Sequence, residues 1–289
     1  MAKYIKTEQG YIDIPNFALA PFKSECEPYL TFSSLNNFTL SVNDRTKHWD
    51  GTLEYFTSDK TWTTWDGTSY LHAVSDYGGY VLYLRGIGNT VITGLKRDYK
   101  WILNGNDIAC VGNIENLLDY TIVESGGHPT LANYCYSGMF QDCTALTQAP
   151  SLPATTLELG CYTSMFMGCT SLKLSSTKTD EYTQAYRVPS SGDGVTATNT
   201  LTNMFSSTGG TFTGTPEINT TYYLGSDNMI VRETEIATLN GYVGSMIDTA
   251  IGEYADTAEY IIHSSTSGST KKFKIIVDDS GVLTATEVT

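Results

Sequence analysis

The sequence predicts a mixed, β-rich protein with an N-terminal β-sandwich-like domain, a short repeat solenoid, and a C-terminal helix followed by a β-hairpin. Three observations support this fold class. A twelve-residue segment recurs after 26 residues, a period typical of solenoids. Short apolar runs separated by turn residues precede the repeat. A heptad pattern and then an alternation of apolar residues follow it.

The 289 residues are enough for several small domains. We expect an N-terminal arm, a β-sandwich-like domain, the repeats, an oligomerising helix and a C-terminal hairpin module. Their expected boundaries are, in that order, 1–30, 31–120, 121–225, 226–252 and 253–289.

The β-sandwich-like domain is predicted from several short strands with regular turns between them. Residues 80–84 are apolar throughout, which suits a strand that is buried on both faces. Residues 101–103 run into Asn104 and Gly105, a dipeptide that predicts a hairpin turn.

The repeat begins at Cys135 and again at Cys161, and seven of the twelve aligned positions are identical. Within the first copy, Cys135, Met139 and Cys143 are spaced four apart, which predicts a short helix with these side chains on one face. Leu146 is then expected to point inward from a brief extended stretch.

Two copies would give a thin core, so we expect a third, degenerate copy, which residues 201–205 supply. This copy follows the second by 39 residues, one period plus an insertion of 13. The insertion lies within residues 173–194 and is rich in Ser, Thr and Gly, so it is expected to be an exposed loop.

These segments resemble BspA-like leucine-rich repeats of bacterial and phage surface proteins. The matching pieces are residues 135–140, 143–147 and 149–157. Residues 62–67 and 83–90 are similar to the domain that commonly precedes such repeats. The third copy contains no cysteine, as a terminal capping repeat would. The resemblance implies a solenoid that serves adhesion and surface display.

The C-terminal quarter contains an a/d heptad seam over three heptads. Its residues are spaced alternately three and four apart when Arg232 is counted as one of the seam positions. We expect a short coiled coil that joins chains, because a marginal helix gains stability from oligomerisation. An amphipathic helix packed on its own domain is the alternative. The seam residues are Met229, Ile236, Leu239, Val243, Met246 and Ala250.

A terminal hairpin is predicted by the alternation of Phe273, Ile275 and Val277 before a turn rich in Asp, Ser and Gly. The stretch 267–288 resembles the C-terminal end of tailed-phage head-fibre proteins. This resemblance implies that the chain forms a homotrimer and attaches to other virion proteins, with the capsid as the expected partner.

Composition excludes several function classes. Charged residues make up only 17% of the chain, and the net charge is −14. Nucleic acid and anionic membranes reward clustered Lys and Arg, so neither is an expected partner. No apolar run approaches the ~20 residues of a membrane helix. The first ten residues show no signal-peptide pattern, which favours a virion protein made in the host cytoplasm over an exported one.

No catalytic, cofactor-binding or metal-binding residue is predicted. The six cysteines show no CxxC spacing, and those in the repeats are expected to be small buried hydrophobes. The four histidines are scattered, and no GxSxG motif occurs. Four aromatic residues could stack on sugar rings, although core or cross-strand packing is their more common use. They are Trp49, Trp62, Trp65 and Tyr70.

Together these features predict a non-enzymatic phage structural protein, a head fibre or capsid decoration on the virion surface. It would display an adhesin-like repeat domain for attachment to a host protein or glycan. A tail-associated receptor-binding protein and a bacterial surface adhesin are the alternatives of the same kind. A glycan depolymerase is the alternative of a different class, and it would need two acidic residues in one groove.

Overall fold

A computed structural model of the chain describes residues 4–7, 10–13, 29–56, 61–76, 79–95, 99–225, 260–263, 272–277 and 283–288. The chain divides into two compact units, Met1–Val231 and Arg232–Thr289. The fold is mixed and β-rich, as predicted, and the described residues form several sheets and a single α-helix.

The described residues of the first unit form eighteen strands, and helix α1 (Asn116–Glu124) lies between β11 and β12. The strands are β1 (Tyr4–Thr7), β2 (Gly10–Asp13), β3 (Leu30–Ser34), β4 (Thr39–Val42), β5 (Thr52–Phe56), β6 (Trp62–Trp65), β7 (Leu71–His72), β8 (Val74–Asp76), β9 (Gly79–Ile87), β10 (Trp101–Asn104), β11 (Ile108–Val111), β12 (Leu146–Gln148), β13 (Thr156–Leu157), β14 (Lys173–Ser175), β15 (Tyr182–Arg187), β16 (Val195–Thr196), β17 (Gly209–Gly210) and β18 (Thr221–Gly225).

Two sheets dominate the region before α1. One has seven strands in the order β12-β11-β3-β9-β5-β6, with β8 beside β9, and the other has the order β10-β4-β7. Phe32 on β3 lies 6.4 Å from Trp101 on β10, measured between ring centroids. Trp65 on β6 lies 5.7 Å from Trp101. The two sheets therefore share a buried aromatic core.

The hairpin predicted at Asn104 and Gly105 is wrong. The strands on either side of this turn belong to different sheets, since β10 pairs with β4 while β11 pairs with β3 and β12. Gly105 has a φ of +156°, and a Cβ built there would lie 2.7 Å from the Cβ of Phe38. The turn is a corner between two sheets, and the strands on either side find better partners elsewhere.

Helix α1 lies directly on strand β9. A Cβ at Gly86 would overlap the carbonyl oxygen of Leu117, so only glycine permits this approach. The side-chain amide of Asn89 donates to the carbonyl oxygens of Thr52, at 2.7 Å, and Leu117, at 2.9 Å. These contacts fix the start of α1, and with it Glu115, against the sheet.

Three copies of the repeat stack through backbone hydrogen bonds. The N–H of Tyr136 donates to the C=O of Cys161 at 3.0 Å, and the N–H of Tyr162 donates to the C=O of Thr200 at 2.9 Å. The bonded residues are separated by 25 and 38 positions, one fewer than the sequence offsets of 26 and 39. The degenerate third copy is thereby confirmed.

The short helix predicted in each copy is wrong, because each copy is a row of four-residue turns. The C=O of Tyr136 accepts from the N–H of Met139 at 3.2 Å, and the C=O of Phe140 accepts from the N–H of Cys143 at 3.0 Å. A left-handed residue at every fourth position prevents a helix from continuing. These residues are Tyr134, Gly138 and Asp142, then Gly160, Ser164 and Gly168, then Asn199, Asn203 and Ser207.

A column of phenylalanine rings fills the centre of the stack. Phe140, Phe166 and Phe205 are fully buried. Their ring centroids are separated by 5.6 and 5.5 Å, with interplanar angles of 6° and 4°. Each ring therefore packs against the equivalent ring of the neighbouring copy, as repeat proteins do.

The third copy replaces the two cysteines of each earlier copy with threonine. Thr200 and Thr208 stand 39 positions after Cys161 and Cys169, and both are buried. Their hydroxyl groups donate to the carbonyl oxygens of Ala197, at 2.9 Å, and Phe205, at 2.8 Å. A side chain of similar size thus fills the same place and satisfies its own polar group.

The strands from β3 to β11, which we call the β region, cover the outer edge of the first repeat copy. The N–H of Trp101 donates to the C=O of Met139 at 2.7 Å, and the N–H of Ile92 donates to the C=O of Cys135 at 2.9 Å. One hydrophobic core extends through both regions. The domain boundary expected at residue 120 therefore lies within a shared core.

The exposed loop predicted within residues 173–194 is only partly correct. Residues 176–181 are exposed, but β15 follows them and pairs with β18. Tyr182, Tyr186 and Val188 are buried at alternating positions. The insertion thus contributes one of the four strands, β15, of a sheet of order β15-β18-β14-β17.

The second unit contains β19 (Tyr260–His263), β20 (Lys272–Val277) and β21 (Leu283–Val288), in that order in one antiparallel sheet. The pairing of β20 with β21 confirms the predicted terminal hairpin. The oligomerising helix predicted over 226–252 and its six seam residues lie outside the described residues.

Candidate ligand-binding sites

Four aromatic side chains form a partly exposed cluster on the outer face of the seven-stranded sheet. We call this cluster, formed by Tyr29, Phe56, Trp62 and Tyr83, the aromatic surface. Strand alternation produces it, because Leu82 and Leu84 point into the core while Tyr83 points out.

The rings of the aromatic surface contact one another in series. The centroids of Tyr29 and Tyr83 are 5.0 Å apart, and those of Phe56 and Trp62 are 5.3 Å apart. The centroids of Tyr29 and Trp62 are 5.8 Å apart. Tilted and edge-to-face pairs at these distances hold each ring in a fixed orientation.

Arg85 is held beside the aromatic surface on three sides. Its guanidinium carbon lies 4.1 Å from the ring centroid of Trp62 and 4.3 Å from that of Tyr120 on α1. Its Nε donates to Glu54 Oε2 at 2.8 Å. The guanidinium of Arg85 thus covers one face of the Trp62 ring, and its ion pair with Glu54 lies at the edge of the aromatic surface.

The four aromatic residues predicted from the sequence as possible sugar contacts lie in different parts of the structure. Trp49 and Trp65 are buried, and their rings lie 5.0 Å apart in the core. A ligand therefore cannot contact these two side chains, because other core residues cover them. Trp62 belongs to the aromatic surface. Tyr70 is 43% exposed, with the guanidinium carbon of Arg45 3.7 Å from its ring centroid.

A cleft of about 250 Å³ lies between the residues that follow α1 and the chain that connects the first two repeats. We call it the Glu115 cleft. It is lined by Glu115, His128, Pro129, Thr130, Leu131, Ala154, Thr155, Thr156 and Glu158.

Glu115 is the buried polar centre of this cleft, with a fully buried side chain. Its Oε2 lies 2.8 Å from Nδ1 of His128, whose side chain is half exposed. Its Oε1 is buried and has no hydrogen-bond partner among the described residues. A buried carboxylate oxygen without a well-aligned donor is costly, and the nearby Asn113 side chain offsets part of that cost.

The electrostatics of Glu115 follow from this position. Burial raises the pKa of the Glu115 carboxyl group, although the hydrogen bonds from the His128 and Asn113 side chains oppose that shift. Burial also raises the pKa of the Tyr136 and Tyr162 hydroxyl groups, and the negative charge of Glu115 adds to both shifts.

The repeat cysteines are packing residues, as predicted. Cys135, Cys143, Cys161 and Cys169 are buried free thiols. Burial raises the pKa of the Cys143 thiol to about 12. A thiol that stays protonated at neutral pH is a poor nucleophile and a poor metal ligand. Within the described ranges, no group of three or more His, Cys, Asp or Glu residues could hold a metal ion.

Neither Glu115 nor His128 belongs to a sequence motif, and they are 13 residues apart. Their pairing depends on the path of the chain from the start of α1 to residues beyond its end. No helix in the described part of the chain is long and apolar enough to cross a membrane. No protein-family model, curated protein or solved structure matches this chain.

Proposed function

We propose that the chain is a non-enzymatic structural protein of a phage virion, a head fibre or capsid decoration that attaches the particle to host surfaces. The repeats act as a BspA-like leucine-rich-repeat solenoid, and the β region acts as a sandwich-like domain that caps it. The helix over 226–252 acts as a coiled coil that makes a trimer with the terminal hairpin. The resemblances of the repeats and of residues 267–288 support this assignment.

The aromatic surface is the observation that carries the attachment role. Tyrosine and tryptophan faces stack on the apolar faces of sugar rings, while Arg85 and Glu54 offer a donor and an acceptor for hydroxyl groups. The rings are already oriented by their neighbours, so binding would cost little side-chain entropy. A host or mucosal glycan is therefore the proposed ligand.

Each site on such a shallow surface is expected to bind weakly. A trimer would bring several copies to one cell, and avidity would then raise the overall affinity. The chain has a net charge of −14, so attraction to polyanions does not drive binding and moderate salt should change it little.

Two measurements test the proposal together. Antibodies against the chain are applied to purified virions in electron microscopy, and the intact chain is incubated with a glycan array. Labelling of the head with glycan binding supports the proposal, whereas labelling of the tail favours a receptor-binding tail protein. Hydrolysis of a bound glycan that Glu115→Gln abolishes would replace the proposal with a depolymerase, since Glu115 and Glu158 line one cleft.

A further inference from the structure

The turn between β10 and β11 contains a chemically reactive pair of residues that the attachment role does not use. Asparagine followed by glycine occurs twice in the chain, as Asn104 with Gly105 and as Asn240 with Gly241, and the first pair lies within the described residues. The backbone nitrogen that follows an asparagine can attack the side-chain amide carbon of that asparagine. Glycine favours this attack, because it has no side chain to shield its nitrogen and its backbone rotates most freely.

Both residues of the first pair are open to this reaction and to water. Asn104 is the last residue of β10, and both Asn104 and Gly105 are exposed. Within the described residues, neither the side-chain amide of Asn104 nor the N–H of Gly105 takes part in a hydrogen bond. Neither group therefore has to break a hydrogen bond before the nitrogen approaches the amide carbon.

Packing requires glycine at position 105 but does not require asparagine at position 104. A Cβ at Gly105 would lie 2.7 Å from the Cβ of Phe38 and 3.3 Å from the carbonyl oxygen of Asn37. Asn104 contributes its backbone, which pairs with Thr39 of β4. The corner between the two sheets thus combines a glycine that it needs with an asparagine whose side chain no described residue holds.

We propose that Asn104 is a site of spontaneous deamidation, with water as the only co-reactant. The backbone nitrogen of Gly105 loses its proton and forms a bond to Cγ of Asn104. The Cγ–Nδ2 bond then breaks, and the amide nitrogen takes up that proton and leaves as ammonia. Water opens the resulting five-membered succinimide at one of its two carbonyl carbons, which gives aspartate or isoaspartate at position 104. No group is oxidised or reduced, and this inference does not rest on the proposed attachment role.

Both products change the corner between the two sheets. Each adds a negative charge to the exposed turn. Isoaspartate also routes the main chain through the former side chain and so adds a methylene group before Gly105. Because Gly105 lies against Phe38 with no room for a further carbon, the isoaspartate form is expected to be less stable than the unmodified chain.

The test incubates the intact chain in mildly alkaline buffer and follows each asparagine by mass spectrometry of the chain's peptides. Asn106 is the internal control, since it is exposed in the same turn but precedes Asp107 instead of a glycine. We expect Asn104 to be converted at least about tenfold faster than Asn106, because glycine leaves the attacking nitrogen unshielded. Conversion should also be slower in neutral buffer, where the nitrogen loses its proton less readily. Equal rates at the two asparagines would overturn the proposal.

The same chain unfolded in urea shows whether the folded turn is as open as described. Conversion of Asn104 in the folded chain should proceed within about tenfold of the rate in urea, because the residue is exposed and its amide has no partner. Stronger protection in the folded chain would contradict the proposal.

Asn104→Gln is the matched variant, because it keeps the amide but would have to close a six-membered ring, which forms much more slowly. It should stay unmodified at position 104 and unfold at the wild-type temperature. Ion exchange separates the deamidated forms by their added charge, and peptide mapping identifies the fraction modified at residue 104 alone. The isoaspartate fraction should unfold at a lower temperature than the unmodified chain. An isoaspartate fraction as stable as the unmodified chain would overturn the proposed effect on the corner.

Discussion

At the scale of single residues, the burial of the Glu115 carboxyl group makes the stability of the fold depend on pH. Its pKa is raised because burial disfavours the charged form. The stability that the neutral form contributes is present below the ordinary pKa of 4.5 and is lost as pH rises through the higher folded value. Wild-type protein should therefore become less stable over that range.

Glu115→Gln should remove this loss, because the amide keeps an acceptor for His128 and carries no charge. The variant is expected to be more stable than wild type at pH 7, by about 1 kcal/mol, and no more stable at pH 4. Urea unfolding at the two pH values measures the difference. Glu124→Gln is the exposed control and should show no pH-dependent gain. A gain in stability over wild type that is smaller at pH 7 than at pH 4 would contradict this view of Glu115.

Single residues also show why the local conformation of the repeats was mispredicted. Apolar side chains every four residues fit both a helix and a row of four-residue turns. The distinguishing signal is the residue type at the fourth positions, where Gly138, Gly160, Asn199 and Asn203 tolerate a positive φ. Tyr134 also adopts a φ of +59°, so sequence alone would not have revealed every such position.

At the scale of elements, the phenylalanine column explains how the three copies hold together. Phe166 is its central ring, with neighbours at 5.6 and 5.5 Å. Phe166→Ala should lower the free energy of unfolding by about 3–5 kcal/mol, because the cavity borders two copies at once. Met165→Ala should cost about 2–5 kcal/mol for the same reason, since Met165 is also fully buried.

Chemical denaturation measures both variants against Met167→Ala, which alters a partly buried side chain in the same turn. The control is expected to lose far less stability. If Phe166→Ala costs under about 0.5 kcal/mol, the ring column does not stabilise the stack.

The contact between β9 and α1 allows a second test at this scale. Gly86→Ala should destabilise the fold by about 3 kcal/mol or more, because its Cβ would overlap the carbonyl oxygen of Leu117. Gly88→Ala is the matched control: its φ is +64° and nothing lies within 4 Å of a Cβ there. It should cost only the strain of a left-handed residue, about 1–2 kcal/mol. Thermal unfolding compares the two, and equal losses would mean that α1 does not lie on β9 as described.

Elements were predictable where pattern and length agreed. The third copy was found from Met204 and Phe205 despite the loss of both cysteines, because its apolar residues kept their spacing. Strand β15 was not found, since its buried residues Tyr182 and Tyr186 lie in a segment that Ser, Thr and Gly dominate. The Glu115 cleft was beyond sequence reasoning, because no local pattern brings residue 115 to residue 128.

At the scale of the whole molecule, we predict a homotrimer formed through residues 229–289. The heptad seam and the terminal hairpin motivate this prediction, and the number three follows from the resemblance to head-fibre proteins. Light scattering should give a mass three times the chain mass of 31.6 kDa. A chain truncated after residue 231 should then be monomeric. A full-length chain that is monomeric at micromolar concentration would contradict the trimer.

The central claim is that the aromatic surface attaches the particle to a host glycan. The most direct measurement is the affinity of the intact chain for the glycan that the array identifies, compared between wild type and Trp62→Ala. Leu95→Ala is the control, since Leu95 is an apolar side chain that is 67% exposed and lies outside the aromatic surface. Thermal unfolding confirms that both variants are folded. We predict that Trp62→Ala weakens binding at least about tenfold while Leu95→Ala leaves it unchanged. Wild-type affinity in a folded Trp62→Ala protein, or no glycan or host-cell binding by the intact chain, would contradict the claim.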